Sequence, residues 1–230
     1  MKRLILLSLF FLFGQLSNAQ GNLAETVKDQ LVEDWKLAKV LTNEYLNIVP
    51  ADKYSFKPQE GIRSFAQQML HLAQVNVGMV SHGTGAPRPF ARSRRLEQSP
   101  GAQTKDSVLY YVNVSYDYAI DAIKNLDTSK LEEKVKERDM EETRFAWLLK
   151  AFAHQTHHRG QTAIYIRLVG IKPPNWLESN CQTRWNKTTK RKTALTGLFK
   201  HSIFSTPSES PRASRGTLMF GFVLINRFNN

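Results

Sequence analysis

The segment His154-Gln-Thr-His157-His158-Arg-Gly-Gln161 holds three of the chain's six histidines within five residues. On a helix, His154 and His158 stand one turn apart, separated by about 40° around the axis. Two imidazoles so placed converge on one divalent transition metal, whose bonds to histidine nitrogen are about 2.0–2.1 Å long. Such a pair is common on helices and by itself marks two structural histidines just as readily. A third ligand has to come from elsewhere. Apart from His157, the remaining histidines are His71, His82 and His201. Three protein ligands with one coordination position open is the style of a catalytic metal site, not of a closed structural one.

The surroundings of the pair strengthen the metal reading. Trp147, Ala151, His154, His158, Gln161 and Tyr165 share one face of the helix, aromatic and small-apolar except for the two histidines and Gln161. That face is expected to meet a core, where imidazoles need partners, and a metal supplies one. His157 points to the side of His154, which makes it a partly exposed or backing histidine and not a ligand. Gln161 and Tyr165 are the other residues placed to support the ligands. No Asp or Glu falls on this face and Gln161 cannot take a proton, so the helix offers no general base.

The elements that must position these residues are helical. Leu23, Val27, Leu31, Trp35, Leu41 and Tyr45 recur at helical spacing until Pro50 ends the segment. Ser64-Phe-Ala-Gln67 has the pattern of a capping box and opens a second helix running to about Val80. His71 lies on that helix among Ser64, Gln67, Gln68, Gln74, Val75 and Gly78, a polar face that reads as solvated or as the wetter wall of a cleft. A Gly-, Pro- and Arg-rich loop from His82 to Lys105 is too long for a simple turn, and such loops shape binding sites. Val108, Val112, Ala119, Ile123 and Leu126 mark a third helix. The fourth is expected over Glu141–Leu168, ended by Gly170 and Pro173-Pro174. The fold class is all-α: a four-helix bundle, in which metal sites project inward from facing helices.

The two ends of the chain read differently. Met1-Lys2-Arg3, the apolar run Leu4–Phe13 and the small-polar close with Ser17 and Ala19 make residues 1–19 a secretory signal peptide. Ten apolar residues are too few to span a bilayer, which needs about twenty. The mature chain, from about Gln20, is therefore expected to be exported, periplasmic or secreted, with no membrane span. From Cys181 to Asn230 there are nine Lys or Arg against one acid, Glu209. The body between carries 21 basic and 19 acidic residues, a net of only +2, so most of the net charge of +12 belongs to this tail. Residues 179–230 lack periodicity and are expected to be disordered. A nucleic-acid partner would rest on the tail alone, and none is expected. The single cysteine, Cys181, excludes an internal disulfide.

Residues 20–178 resemble the DinB/YfiT-like superfamily of metal-dependent proteins. Two segments carry the resemblance. The first is Pro50-Ala-Asp-Lys-Tyr54-Ser-Phe56-Lys-Pro58-Gln-Glu-Gly61-Ile-Arg63-Ser-Phe65 with Met69-Leu-His71-Leu-Ala. The second runs from His154 through Tyr165, Arg167 and Gly170 to Pro173-Pro174. The resemblance implies a four-helix bundle in which one histidine of helix 2 and the paired histidines of the last long helix bind a divalent metal. Matched position by position, these are His71, His154 and His158. The long basic tail departs from the family pattern. Zinc is the first expectation for the metal, with nickel, manganese and iron as alternatives.

The resemblance implies either metal-dependent hydrolysis or transfer to a low-molecular-weight thiol. Export argues against the thiol version, since such thiols are mainly cytosolic. A metal-dependent hydrolase is the leading expectation, and an exported bundle that binds metal or a small ligand without turnover is the alternative. The sequence does not name the small-molecule substrate, and a homodimer is an open arrangement.

Overall fold

The structure, a computed structural model, describes the backbone of residues 2–91, 93 and 95–175 and the side chains from residue 23 onward. The expected tail, residues 179–230 with Cys181 and His201, lies outside the described residues. Four helices make the bundle: α1 (Lys2–Ile48), α2 (Phe65–Thr84), α3 (Lys105–Lys124) and α4 (Arg144–Leu168). α2 packs chiefly against α4 and α3, and α1 against α3. No helix among the described residues is long and apolar enough to cross a membrane.

Local chemistry sets the helix ends. At the start of α2 the Gln67 amide donates to Ser64 Oγ at 3.2 Å, and the Ser64 amide donates to Gln67 Oε1 at 2.9 Å. The expected capping box is therefore present. α2 runs one turn past Val80 and stops at Gly85, which takes φ of 77°. Thr104 and Thr143 cap α3 and α4 through their hydroxyls. α4 closes with Gly170 at φ 80° and amides of Gly170 and Ile171 bonded to the carbonyls of Arg167 and Ile166, the paired bonds of a Schellman motif.

The fourth helix begins later than its sequence indicates. Met140–Thr143 form a strand, β2, paired antiparallel with β1 (Lys134–Glu137). Glu141 and Glu142 sit opposite Lys136 and Val135. Both strands are largely exposed. Their charged residues carry no apolar alternation by which a strand is recognised.

The core is aromatic at its centre. Trp35 is fully buried, edge-on to Tyr116 at 5.6 Å and to Phe152 at 5.7 Å. A polar chain crosses this core: Thr42 Oγ1 lies 2.8 Å from Tyr116 OH, which donates to Gln155 Oε1 at 2.9 Å, and Arg159 donates to the same Gln155 oxygen at 2.9 Å. Those bonds make it affordable to bury Gln155 and Thr42 completely. α2 and α4 approach closely at Gly83. A Cβ there would lie 2.5 Å from Leu148 Cδ2 and 3.1 Å from the Arg144 carbonyl.

The long loop is packed, not open. Phe90, Leu96 and Ala102 insert into the core, and short 3-10 turns at Leu96–Gln98 and Pro100–Ala102 hold the chain between them. Leu96 is 1 % exposed. Its burial fixes the neighbour, Glu97, against the bundle.

Candidate metal centre

α2 and α4 bring His71, His154 and His158 together. One ring nitrogen from each lies within 4.8 Å of the others. The ring centroids are 4.2 Å apart for His154 and His158, 4.7 Å for His71 and His158, and 5.2 Å for His71 and His154. His154 Nε2 and His158 Nε2 face each other at 2.9 Å. The helix register explains this: one turn separates the pair on α4, and His71 projects from the facing helix two turns after the Ser64 cap.

His158 is buried, whereas His71 and His154 are half-buried. Burial, with the neighbouring histidines, pushes His154 down to about 3 and His158 down to about 4. Burial and the Arg63 charge also lower His71, against the pull of Glu97. All three imidazoles are therefore neutral at pH 7, the form that ligates a metal.

A carboxylate that the α4 face does not supply comes from the loop. Glu97 Oε1 accepts from His71 Nδ1 at 3.2 Å, and Glu97 Oε2 accepts from Arg63 Nε at 2.5 Å. Burial opposes the Glu97 charge, but the Arg63 and His71 bonds outweigh it and hold the carboxyl below its ordinary range. The proton is thus kept on His71 Nδ1, which leaves Nε2 as a lone pair. Metal-bound histidines characteristically have this second bond to a carboxylate. Arg63 is positioned in turn by Tyr165, whose hydroxyl donates to the Arg63 carbonyl at 3.0 Å.

A similar arrangement backs His158. The Gln68 amide meets His158 Nδ1 at 2.7 Å and also contacts Gln161 Oε1. An amide's nitrogen and oxygen exchange places by a half turn; with both Gln68 and Gln161 so turned, the Gln68 oxygen accepts His158 Nδ1–H, the Gln161 amide donates to that same oxygen, and Nε2 is again freed. His154 Nδ1 is buried with no hydrogen-bond partner among the described residues. Two Nε2 atoms at 2.9 Å need a proton or a cation between them, and a divalent ion held there would have His71 within reach as well. Three neutral imidazoles fit such an ion.

The other described histidines stay outside the group. His157 is exposed, and its ring centroid lies 5.0 Å from that of His158. His82, in the last turn of α2, stacks on Trp147 at 4.9 Å. The buried stripe of α4 is also shifted from the expected one. Trp147, Ala151, His158 and Tyr165 are buried, together with Leu148, Gln155, Thr162 and Ile166, while His154 and Gln161 are half-buried at the edge. Gln155 and Thr162 escape an apolar pattern because hydrogen bonds bury them. Glu97 and Arg63 escape it because they lie far from α4 in sequence; the length of the 82–105 loop was the one signal for Glu97, and Arg63 stood only in the segment that carries the family resemblance.

A cleft of about 740 Å³ opens beside His158. Gln161 and Tyr165 of α4, Gln67 and Gln68 of α2, Glu97 and the 57–63 segment line it.

A DinB-like protein from Bacillus cereus ATCC 10987 superposes with a TM-score of 0.56 at 16% identity, covering 64% of this chain and 95% of that one. This is a likeness of fold. A DinB-like protein from Bacillus subtilis gives a TM-score of 0.49 at 18% identity, covering 66% of this chain and 99% of that one. No curated protein matches the chain. The DinB family model matches residues 20–190, well over half the sequence, and the chain belongs to the DinB family.

Proposed function

We propose that this chain is a divalent-metal-dependent hydrolase whose ion is held by His71, His154 and His158. The observation that carries the reading is the meeting of three neutral imidazole nitrogens within 4.8 Å at the wall of a cleft. Three nitrogen donors are the number found in catalytic zinc sites, and imidazole suits zinc, nickel and iron better than manganese. A bound ion supplies Lewis-acid polarisation and draws a hydrolytic nucleophile from water near neutral pH.

The chain's own residues do the rest. Glu97 keeps the His71 proton on Nδ1 and orients the ring. Arg63 compensates the Glu97 charge. Gln68, braced by Gln161, fixes His158. Burial of His154 and His158 keeps protons from competing with a metal above about pH 5. The cleft admits a small molecule to this group.

The test is metal content and turnover on one preparation. Mature protein loaded with zinc or nickel is expected to retain one ion per chain after dialysis and to hydrolyse members of an ester and amide panel, with activity lost on chelation. One tightly held ion with no turnover across the panel would favour the non-catalytic binding bundle. No retained ion would end the metal reading. We also infer export from residues 1–19. Fractionation of expressing cells, with N-terminal sequencing near Gln20, checks it.

A further inference from the structure

The cleft wall away from the histidines carries a pattern of its own. Three charged side chains line the cleft besides the neutral His158: Lys57, Arg63 and Glu97. Both Glu97 oxygens are already engaged, one by Arg63 and one by His71. Arg63 uses only Nε in that pair, so its terminal nitrogens remain to donate. Lys57 has no acceptor among the described residues. Gln67 commits Oε1 to the helix cap, and a flip would break the capping box. Its Nε2 is therefore a fixed donor on the cleft wall. The lining thus offers donors, consumes its one carboxylate internally and leaves one net positive charge.

The same wall is apolar in part. Ile62 is 42% exposed and Ile164 59% exposed, both in the cleft. Large aliphatic side chains left open inside a concave site mark it as a place for an apolar group. The volume of about 740 Å³ lies in the range of small-molecule sites.

We propose that this cleft binds small organic carboxylates with an apolar body, the carboxylate on Lys57, Arg63 and Gln67 and the body against Ile62 and Ile164. A monoanion matches the single net charge, whereas a phosphate dianion leaves a charge unmatched. The inference rests on the reading of the histidine group as the reactive end of the cleft, but its test does not need the metal.

Calorimetric titration uses three probes: 4-phenylbutyrate, its uncharged amide 4-phenylbutanamide, and 3-phenylpropyl phosphate. Each is titrated into resin-stripped, metal-free protein and into zinc-loaded protein. The carboxylate is expected to bind the metal-free protein, with the amide about tenfold weaker, the scale of one charge-assisted hydrogen bond. Lys57→Met, an exposed change that keeps the apolar stem, is expected to weaken the carboxylate about three- to fivefold and leave the amide unchanged. Equal affinity for carboxylate and amide, tighter binding of the phosphate, or indifference to Lys57→Met would each overturn the proposal. Carboxylate binding that appears only with zinc and ignores Lys57→Met would make the carboxylate a metal ligand and sink the cleft inference alone. Carboxylate selectivity in a protein that retains no zinc would sink the metal reading and leave this one standing.

Discussion

Removing Glu97 tests whether a loop carboxylate governs the affinity of a centre built by two helices. Glu97→Ala deletes the acceptor for His71 Nδ1–H, 3.2 Å away, and the partner of Arg63 Nε. Freed, the His71 ring rotates and takes both tautomers, and the tautomer protonated on Nε2 offers no lone pair to an ion. Loss of such a backing carboxylate costs about 10–100-fold in metal affinity, or about 1.4–2.7 kcal/mol. The fold pays little, because the Arg63 side chain is 42% exposed and an exposed ion pair contributes about 0–1 kcal/mol. Glu97→Gln retains an acceptor oxygen without the charge, so its loss is expected to be several-fold. Zinc competition against a chromophoric chelator reads the affinity, and circular dichroism of the metal-free proteins reads the fold. Unchanged affinity in Glu97→Ala would mean that His71 is not held by Glu97 or is not a ligand. His71→Ala separates the two: if it too binds zinc normally, the three-histidine centre is wrong.

His154→Ala is expected to abolish stoichiometric metal binding while the helical circular dichroism persists, since the apolar seams and not an ion hold the bundle; His157→Ala is expected to change affinity little, and the reverse order in metal titrations would reassign the ligand pair. Gly83→Ala is expected to destabilise by about 1–3 kcal/mol in urea unfolding, because the new methyl meets Leu148 Cδ2 and, behind it, the Arg144 carbonyl backbone; a variant more stable than the parent would show that α2 and α4 can part there freely. Metal-free protein is expected to lose stability as pH falls. In the folded state His154 and His158 take protons only near 3 and 4, whereas the unfolded chain takes them near 6.5. The unfolded state therefore binds more protons below 6.5, so stability is full above that pH and declines towards pH 4. Thermal melts from pH 7.5 to 4.5 should show this decline, shallower in His154→Ala, and an equal slope in both proteins would contradict it.

The parts of this structure legible in the sequence are those with local causes. The Ser64/Gln67 box needs only four residues, and the spacing of His154 and His158 needs only a helix. Gly170 with its Schellman bonds is local too. What was not legible depends on distant partners. Gln155 looks like a surface residue until Tyr116 and Arg159 are seen to satisfy it. The β1–β2 hairpin is charged on both faces and joins through Arg138 at φ 55°, a left-handed residue without the glycine that announces such turns. Glu97 reaches His71 because Leu96 beside it is swallowed by the core, a fact of packing that no motif encodes.

Position 67 answers to two masters. A glutamate there would complete the capping box at least as well, and a carboxylate in the first turn suits the helix dipole. A search for stabilising substitutions would find it early. Yet that side chain also forms part of the cleft wall, and a glutamate would turn its one fixed donor into a second negative charge near His158. The glutamine is neutral where helix stability alone favours charge. In this chain the start of α2 is tuned as a compromise, and a more durable variant made at that residue would be a poorer receptor for anions.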